Sequence, residues 1–308
     1  VPATPSHPLG RGHDGPRRRV PFLFVDVFAV GPLTGNPVAL VPDADDLGEE
    51  VMRAAAREFN QSETTFLLRP RRPDATWRLR SFTPIGAEVF GAGHNALGAW
   101  LWLAASGRLP GGEGEFVQEI GEDLLPVRVR AQAGRPPAVS MDQSPPRFGA
   151  AVGDPAELAA ALGLAEADLV AGAPAQVVGT GADHLLVPLR ARAAVDRARP
   201  DQARLAAVLA SVGGEGCYLY SREPGGDGAT AYARFFNPTM GIAEDPATGT
   251  AAGPLAALLV RDGAARGDVR IAQGHAAGRP SLIEVAVRGD LVTVTGSGLV
   301  VAEGTLLL

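Results

Sequence analysis

Two helical patterns in this chain, over residues 95–105 and 250–260, are apolar on nearly every face. A helix with no polar face cannot lie on a surface and has to be enclosed. Similar text introduces both. Arg80-Ser81-Phe82-Thr83-Pro84 leads through a glycine-rich stretch to Ala92-Gly93-His94-Asn95, and Arg234-Phe235-Phe236-Asn237-Pro238 leads to Thr248-Gly249-Thr250-Ala251. The two R-x-F-x-P elements lie about half a chain apart, which we read as an internal duplication. Period-2 apolar stretches supply the enclosing walls: residues 22–28, 64–68, 77–82, 175–178, 185–189, 217–220, 231–236, 282–287 and 291–294. Further helical patterns fall at 47–58, 155–162 and 202–211. The order is α+β rather than regular βαβ alternation. Each half is expected to wrap a curved sheet around its own helix, with the boundary near residues 141–150, MDQSPPRFGA, where proline interrupts a weak pattern.

Composition narrows the function. The formal net charge is -6, and no basic block occurs beyond Arg17, Arg18 and Arg19, which argues against nucleic acid. The longest nearly apolar run, 96–106, is far short of the roughly 20 residues that span a bilayer, so no membrane helix is expected. Residues 1–19 lack the apolar core of a secretory signal and read as a mobile tail. The single cysteine, Cys217, agrees with a cytoplasmic location. All 28 basic residues are arginine. Without lysine there is no Schiff base to pyridoxal phosphate and no Walker A phosphate loop. One cysteine also excludes a two-thiol racemase. No His, Cys or acid pair has metal-ligand spacing, and no metal is expected.

Three side chains are candidates for chemistry. The buried helices begin with glycine and small polar residues, so their unpaired N–H groups can receive a carboxylate. Asp245, followed by Pro246, reads first as a helix N-cap. His94 is the only histidine that opens a buried helix. Glu63 precedes an apolar strand, where desolvation would raise its pKa toward that of a general acid/base. An exposed acid at a strand edge is the ordinary alternative.

In order along the chain, Val25-Asp26-Val27-Phe28 with Gly35-Asn36-Pro37, Ser62-Glu63-Thr64-Thr65-Phe66, Glu88 through Gly93-His94, Gly241-Ile242 with Glu244-Asp245-Pro246-Ala247-Thr248-Gly249, and Gln273-Gly274 with Gly278-Arg279-Pro280-Ser281 resemble the PhzF family of phenazine-biosynthesis isomerases, on the diaminopimelate epimerase-like fold. The resemblance covers residues 20–308. It implies two pseudo-symmetric domains, each a curled, mainly antiparallel sheet around a central helix: residues 20–142 plus 297–308, and 143–296. The last strand, near 299–307, would return to the first half. The resemblance further implies a homodimer, no cofactor, and a small amino or carboxylic acid as substrate. It places the catalytic groups on Glu63, His94 and Asp245, and substrate contacts on Gly93, Asn95, Gly249 and Thr250. Asn95 and Gln61 depart from the family's usual residues, and Thr250 replaces a serine while keeping the hydroxyl. The implied activity is a proton and double-bond shift, in a trans-2,3-dihydro-3-hydroxyanthranilate-type compound or in an alkylproline precursor of an antibiotic pathway. An epimerase on the same fold and a non-catalytic ligand-binding homologue are the alternatives.

Overall fold

The computed structural model describes residues 18–308 except 224, 226 and 227. The first half comprises β1 (Arg19–Val27), β2 (Asn36–Val41), α1 (Glu49–Phe59), β3 (Thr64–Leu68), β4 (Trp77–Phe82), β5 (Glu88–Val89), α2 (His94–Ala105), β6 (Gly114–Ile120), β7 (Asp123–Gln132) and β8 (Arg135–Gln143). The second comprises β9 (Arg147–Ala151), α3 (Pro155–Ala161), β10 (Gln176–Gly179), β11 (Asp183–Pro188), α4 (Arg192–Arg197), α5 (Gln202–Val212), β12 (Gly216–Ser221), β13 (Ala231–Asn237), β14 (Ile242–Asp245), α6 (Gly249–Arg261), β15 (Asp268–Gln273), β16 (Ser281–Arg288) and β17 (Leu291–Leu307).

Pairing closes the first sheet into a ring running β1-β2-β3-β4-β6-β7-β8-β17 and back to β1. The second curls through β9-β10-β11-β12-β13-β15-β16-β17. β17 belongs to both: its start pairs with β16 and β8, and residues 298–307 with β1. α2 fills the first ring, with Leu97, Trp100, Leu101 and Leu103 buried, and α6 fills the second, with Leu255, Leu258 and Leu259 buried. A Cβ on Gly98 would come within 2.4 Å of Val38 Cγ1, so the absence of a side chain lets α2 rest directly on β2.

The duplication is visible in chemistry as well as topology. The parallel pair β2–β3 corresponds to β11–β12, and β4–β6 to β13–β15. Arg80 forks onto Glu88 with both nitrogens at 2.7 Å, and Arg234 forks onto Glu244 at 2.9 and 2.7 Å. Each guanidinium also lies over the phenylalanine two residues on, Phe82 at 5.0 Å and Phe236 at 4.9 Å. The recurring R-x-F thus ties a strand end to the segment that enters the central helix, by a bidentate pair and a cation–π contact.

The structure corrects several expectations. Arg19 opens β1 and Arg18 bonds to Leu308, so the last two residues of the expected tail are structured; residues 1–17 lie outside the described ones. The weakly patterned 141–150 is mostly strand, in β8 and β9. β6, β7 and most of β8 escape periodicity because Pro126, Pro136, Pro137 and charged side chains break the alternation. The short amphipathic α4 is hidden in the sequence by its alanines and arginines. Asp245 is not an N-cap: it ends β14, and Thr248 occupies the cap position of α6.

A clasp joins the halves beside the helix ends. Arg279 donates to Asp26 Oδ1 at 2.6 Å, to Gly35 O at 2.8 Å and to Thr34 O at 3.1 Å, and Gly35 N–H donates to Pro280 O at 3.0 Å. Gly35 (φ 70°) and Gly274 (φ 79°) make the approach possible, since a Cβ would meet Val27 O at 2.3 Å in one case and Arg279 O at 2.2 Å in the other. Burial raises the Asp26 pKa, and Arg279 only partly offsets that. The pair is therefore costly to break from one side. Arg279→Ala is expected to lower stability by about 3 kcal/mol in denaturant unfolding and Asp26→Asn by less, because only the first strands a buried charge. Equal effects would remove the clasp as the cause.

Candidate active site

Glu63 sits just before β3 and His94 is the first residue of α2, and the fold brings them together: His94 Nε2 lies 2.9 Å from Glu63 Oε2. That oxygen is buried and makes no well-aligned hydrogen bond among the described residues, so the contact is ionic more than directional. Ser62 Oγ lies 3.3 Å from the same ring nitrogen. The Glu63 side chain keeps 19% of its surface open, enough to meet a small solute.

Burial alone would raise the Glu63 pKa, but the neighbouring His94, with help from Ser62, holds it below the usual glutamate value. Burial would depress His94, and the charges of Glu63 and Asp245 hold it above the usual histidine value. Each group therefore favours the charged form of the other, carboxylate on Glu63 and imidazolium on His94. This reverses the expectation of a raised Glu63 pKa, because the partner's charge outweighs desolvation.

Asp245 comes from the other half. Its Oδ1 accepts from Asn36 Nδ2 at 2.8 Å, and the same amide donates to Ala247 O at 2.8 Å. Its other oxygen accepts from the Thr248 hydroxyl. Gln273 lies beneath: its Nε2 donates to Asp245 O at 2.8 Å and to Thr248 Oγ1 at 3.1 Å, and its Oε1 accepts from Tyr218 O–H at 2.8 Å and Thr248 N–H at 3.2 Å. Burial pushes Asp245 up to about 6, against the opposing pull of His94, Thr248 and Asn36. Asn36 and Gln273 fall within the sequence motifs but carry no role there; a fully buried amide in a G-N-P turn is the signal available. Thr248 and Tyr218 carry none.

The expected substrate contacts divide. Asn95 is buried and its amide is committed, Oδ1 accepting from Gly93 N–H at 2.8 Å and Nδ2 donating to Ser81 Oγ at 3.0 Å and Gly91 O at 3.2 Å. It braces the loop before α2, and the Gly93 N–H is engaged with it. Gly249 is buried against Phe28 and its carbonyl accepts from Gln143 Nε2 at 3.0 Å. Thr250 is half-buried, and its Oγ1 lies 3.3 Å from His184 Nε2. In α6 the Ala251 N–H turns back to Thr248 O at 3.1 Å, and the N–H groups of Gly249 and Thr250, like those of His94 and Asn95 in α2, are the natural donors to a carboxylate. A cavity of about 650 Å³ lies elsewhere, near Leu158, Val170, Pro188 and Arg190, and none of the candidate residues lines it. Among the described residues no cluster of three or more His, Cys, Asp or Glu could hold a metal ion. No helix among them is long and apolar enough to cross a membrane.

Two curled sheets, each around a buried helix, define the epimerase-like class of fold, and here a carboxylate–imidazole–carboxylate group lies where they meet. A hydroxyproline epimerase from Agrobacterium vitis shares that fold with TM-score 0.63 at 13% identity, over 95% of this chain and 92% of that one. Nearer is a PhzF-family phenazine biosynthesis protein from Bacillus anthracis, with TM-score 0.86 and 26% identity over 94% of this chain and all of the other. The trans-2,3-dihydro-3-hydroxyanthranilate isomerase of Pseudomonas chlororaphis is 35% identical over 93% of this chain and 99% of its own length. Residues 25–304 match the family model described as phenazine biosynthesis-like protein, PhzC-PhzF. The chain belongs to that family and is an isomerase.

Proposed function

We propose that the protein shifts a proton and a double bond within a small unsaturated amino or carboxylic acid, without a cofactor, and that Glu63 carries the proton. A trans-2,3-dihydro-3-hydroxyanthranilate-type compound is the first candidate, suggested by the name of the Pseudomonas chlororaphis relative. An alkylproline precursor is the second. The observation that carries the reading is the Glu63–His94 contact, with the glutamate kept ionised and partly open.

In this reading the Glu63 carboxylate removes a proton from one carbon of the bound substrate. The His94 imidazolium and the first-turn N–H groups of α2 and α6 stabilise the negative charge that spreads toward the substrate's polar groups. Glu63, now protonated, returns the proton to a second carbon on the same face. One carboxylate serves as base and then acid, which suits a suprafacial shift. Asp245 sits across the junction and holds a polar substituent or relays its proton.

Turnover of trans-2,3-dihydro-3-hydroxyanthranilate in deuterium oxide, followed by ultraviolet absorption and mass spectrometry, tests this. Movement of the conjugated band, with deuterium at the new C–H position or with retained substrate hydrogen if transfer outpaces exchange, is expected. Exchange with stereochemical inversion and no band movement would instead establish the epimerase reading.

A further inference from the structure

The segments Glu88-Val89-Phe90-Gly91-Ala92-Gly93-His94 and Glu244-Asp245-Pro246-Ala247-Thr248-Gly249-Thr250 correspond residue for residue. Thr250 therefore stands in the second half where His94 stands in the first. Behind it, on β11, is a histidine that neither the resemblance nor the mechanism uses. His184 is 3% exposed, and its ring packs edge-on against Phe235 at 5.0 Å between centroids. Its Nε2 lies 3.3 Å from Thr250 Oγ1, and Thr250 has no other side-chain partner among the described residues. Its Nδ1 is buried with no hydrogen-bond partner and faces Gly216, where a Cβ would lie 3.2 Å away.

A neutral imidazole carries one proton on either nitrogen. On Nδ1 the proton would be an N–H buried without an acceptor. On Nε2 it is given to Thr250 Oγ1, and only a lone pair goes unpaired. Orphaned buried donors are the rarer defect. We infer that His184 is a positioning residue: its Nε2–H donates to Thr250 Oγ1, so the Thr250 proton must point away from it, toward a substrate carboxylate at the N-terminus of α6. Burial pushes the His184 pKa down to about 4, so the ring stays neutral over the physiological range. The first half answers the incoming anion with a charged imidazolium at the helix start; the second answers it with a hydroxyl whose direction is fixed from behind. The inference rests on the proposed role of Thr250 as a substrate contact.

The tautomer is read directly by nitrogen-15 NMR of protein labelled at histidine, with the His184 signals assigned by their loss in His184→Gln. A proton on Nε2 and a bare Nδ1 are expected; a proton on Nδ1 overturns the inference whatever Thr250 does. Calorimetric binding of 3-hydroxyanthranilate, a planar carboxylate, is the second measurement. Thr250→Val and His184→Leu are each expected to weaken it about tenfold, the double variant no further, and His184→Gln to restore it through its own amide donor. If only Thr250→Val weakens binding, the positioning role fails and the contact stands. If Thr250→Val has no effect, the contact itself fails, and the inference with it.

Discussion

Glu63→Gln is expected to lower kcat by about three orders of magnitude, within the range of a lost general base, while circular dichroism is unchanged. The substitution keeps the shape of the side chain and removes only the charge and the basic lone pairs. Because Glu63 Oε2 makes no aligned hydrogen bond among the described residues, no network collapses when the charge goes. A second effect follows from the electrostatics. The Glu63 charge does most to offset the effect of burial on His94, so the histidine pKa falls in the variant and the ring becomes neutral at lower pH. Glu63 has a folded pKa held below its usual value, so its contribution to stability is present above the unfolded glutamate pKa and is lost as pH falls through the folded one. The stability difference between wild type and Glu63→Gln should accordingly shrink on acidification. Turnover unchanged in Glu63→Gln would remove this residue from the mechanism.

What the sequence disclosed depended on whether the signal was local. The two buried helices were legible because a helix apolar on all sides has few places to go, and the R-x-F-x-P repeat because each Arg, Phe and following Glu makes the same contacts in both halves. Single-residue properties placed Glu63 and His94 as candidates, and the resemblance paired them. The environment of Glu63 was not legible: desolvation predicts a raised pKa, and only the distance to His94 reverses it. Asp245 reads as a cap in the sequence because Asp-Pro before a helical pattern is a common helix start. Its real neighbours, Asn36 and Gln273, are far away along the chain, and a buried amide announces itself only through partners that topology brings near. His184 is the extreme case, a strand histidine whose meaning depends on one distant hydroxyl.

Asp245→Asn is expected to make the protein more stable and less active at once, and the pH dependence separates this from ordinary damage. The Asp245 pKa is pushed from 3.8 to about 6 by burial. A folded pKa above the unfolded one means the stability linked to this group is fully present below the unfolded value and is lost as pH rises through about 6. Above that pH the folded protein carries a buried carboxylate at a cost of up to about 3 kcal/mol. Asparagine escapes that cost. It recovers less than the whole, because one side of its amide becomes a donor facing either Asn36 Nδ2, itself a donor, or the Thr248 hydroxyl. A gain of about 1–2 kcal/mol at pH 8, vanishing near pH 4, is the expected result in denaturant unfolding. Activity moves the other way. Wild-type kcat should rise with pH through about 6 as Asp245 ionises, and Asp245→Asn should lose that limb and about two orders of magnitude in rate. Asn36→Ala, which removes a hydrogen bond that lowers the Asp245 pKa, should shift the same limb to higher pH. The charged and titratable groups that bear on the carboxylate are His94, Glu63 and Tyr218, so a limb that moved in His94→Asn but stayed fixed in Asn36→Ala would assign it to the histidine instead. A binding group retained for substrate alone gives no reason for stability and rate to cross in opposite directions at one pH. A buried acid kept ionised for chemistry does.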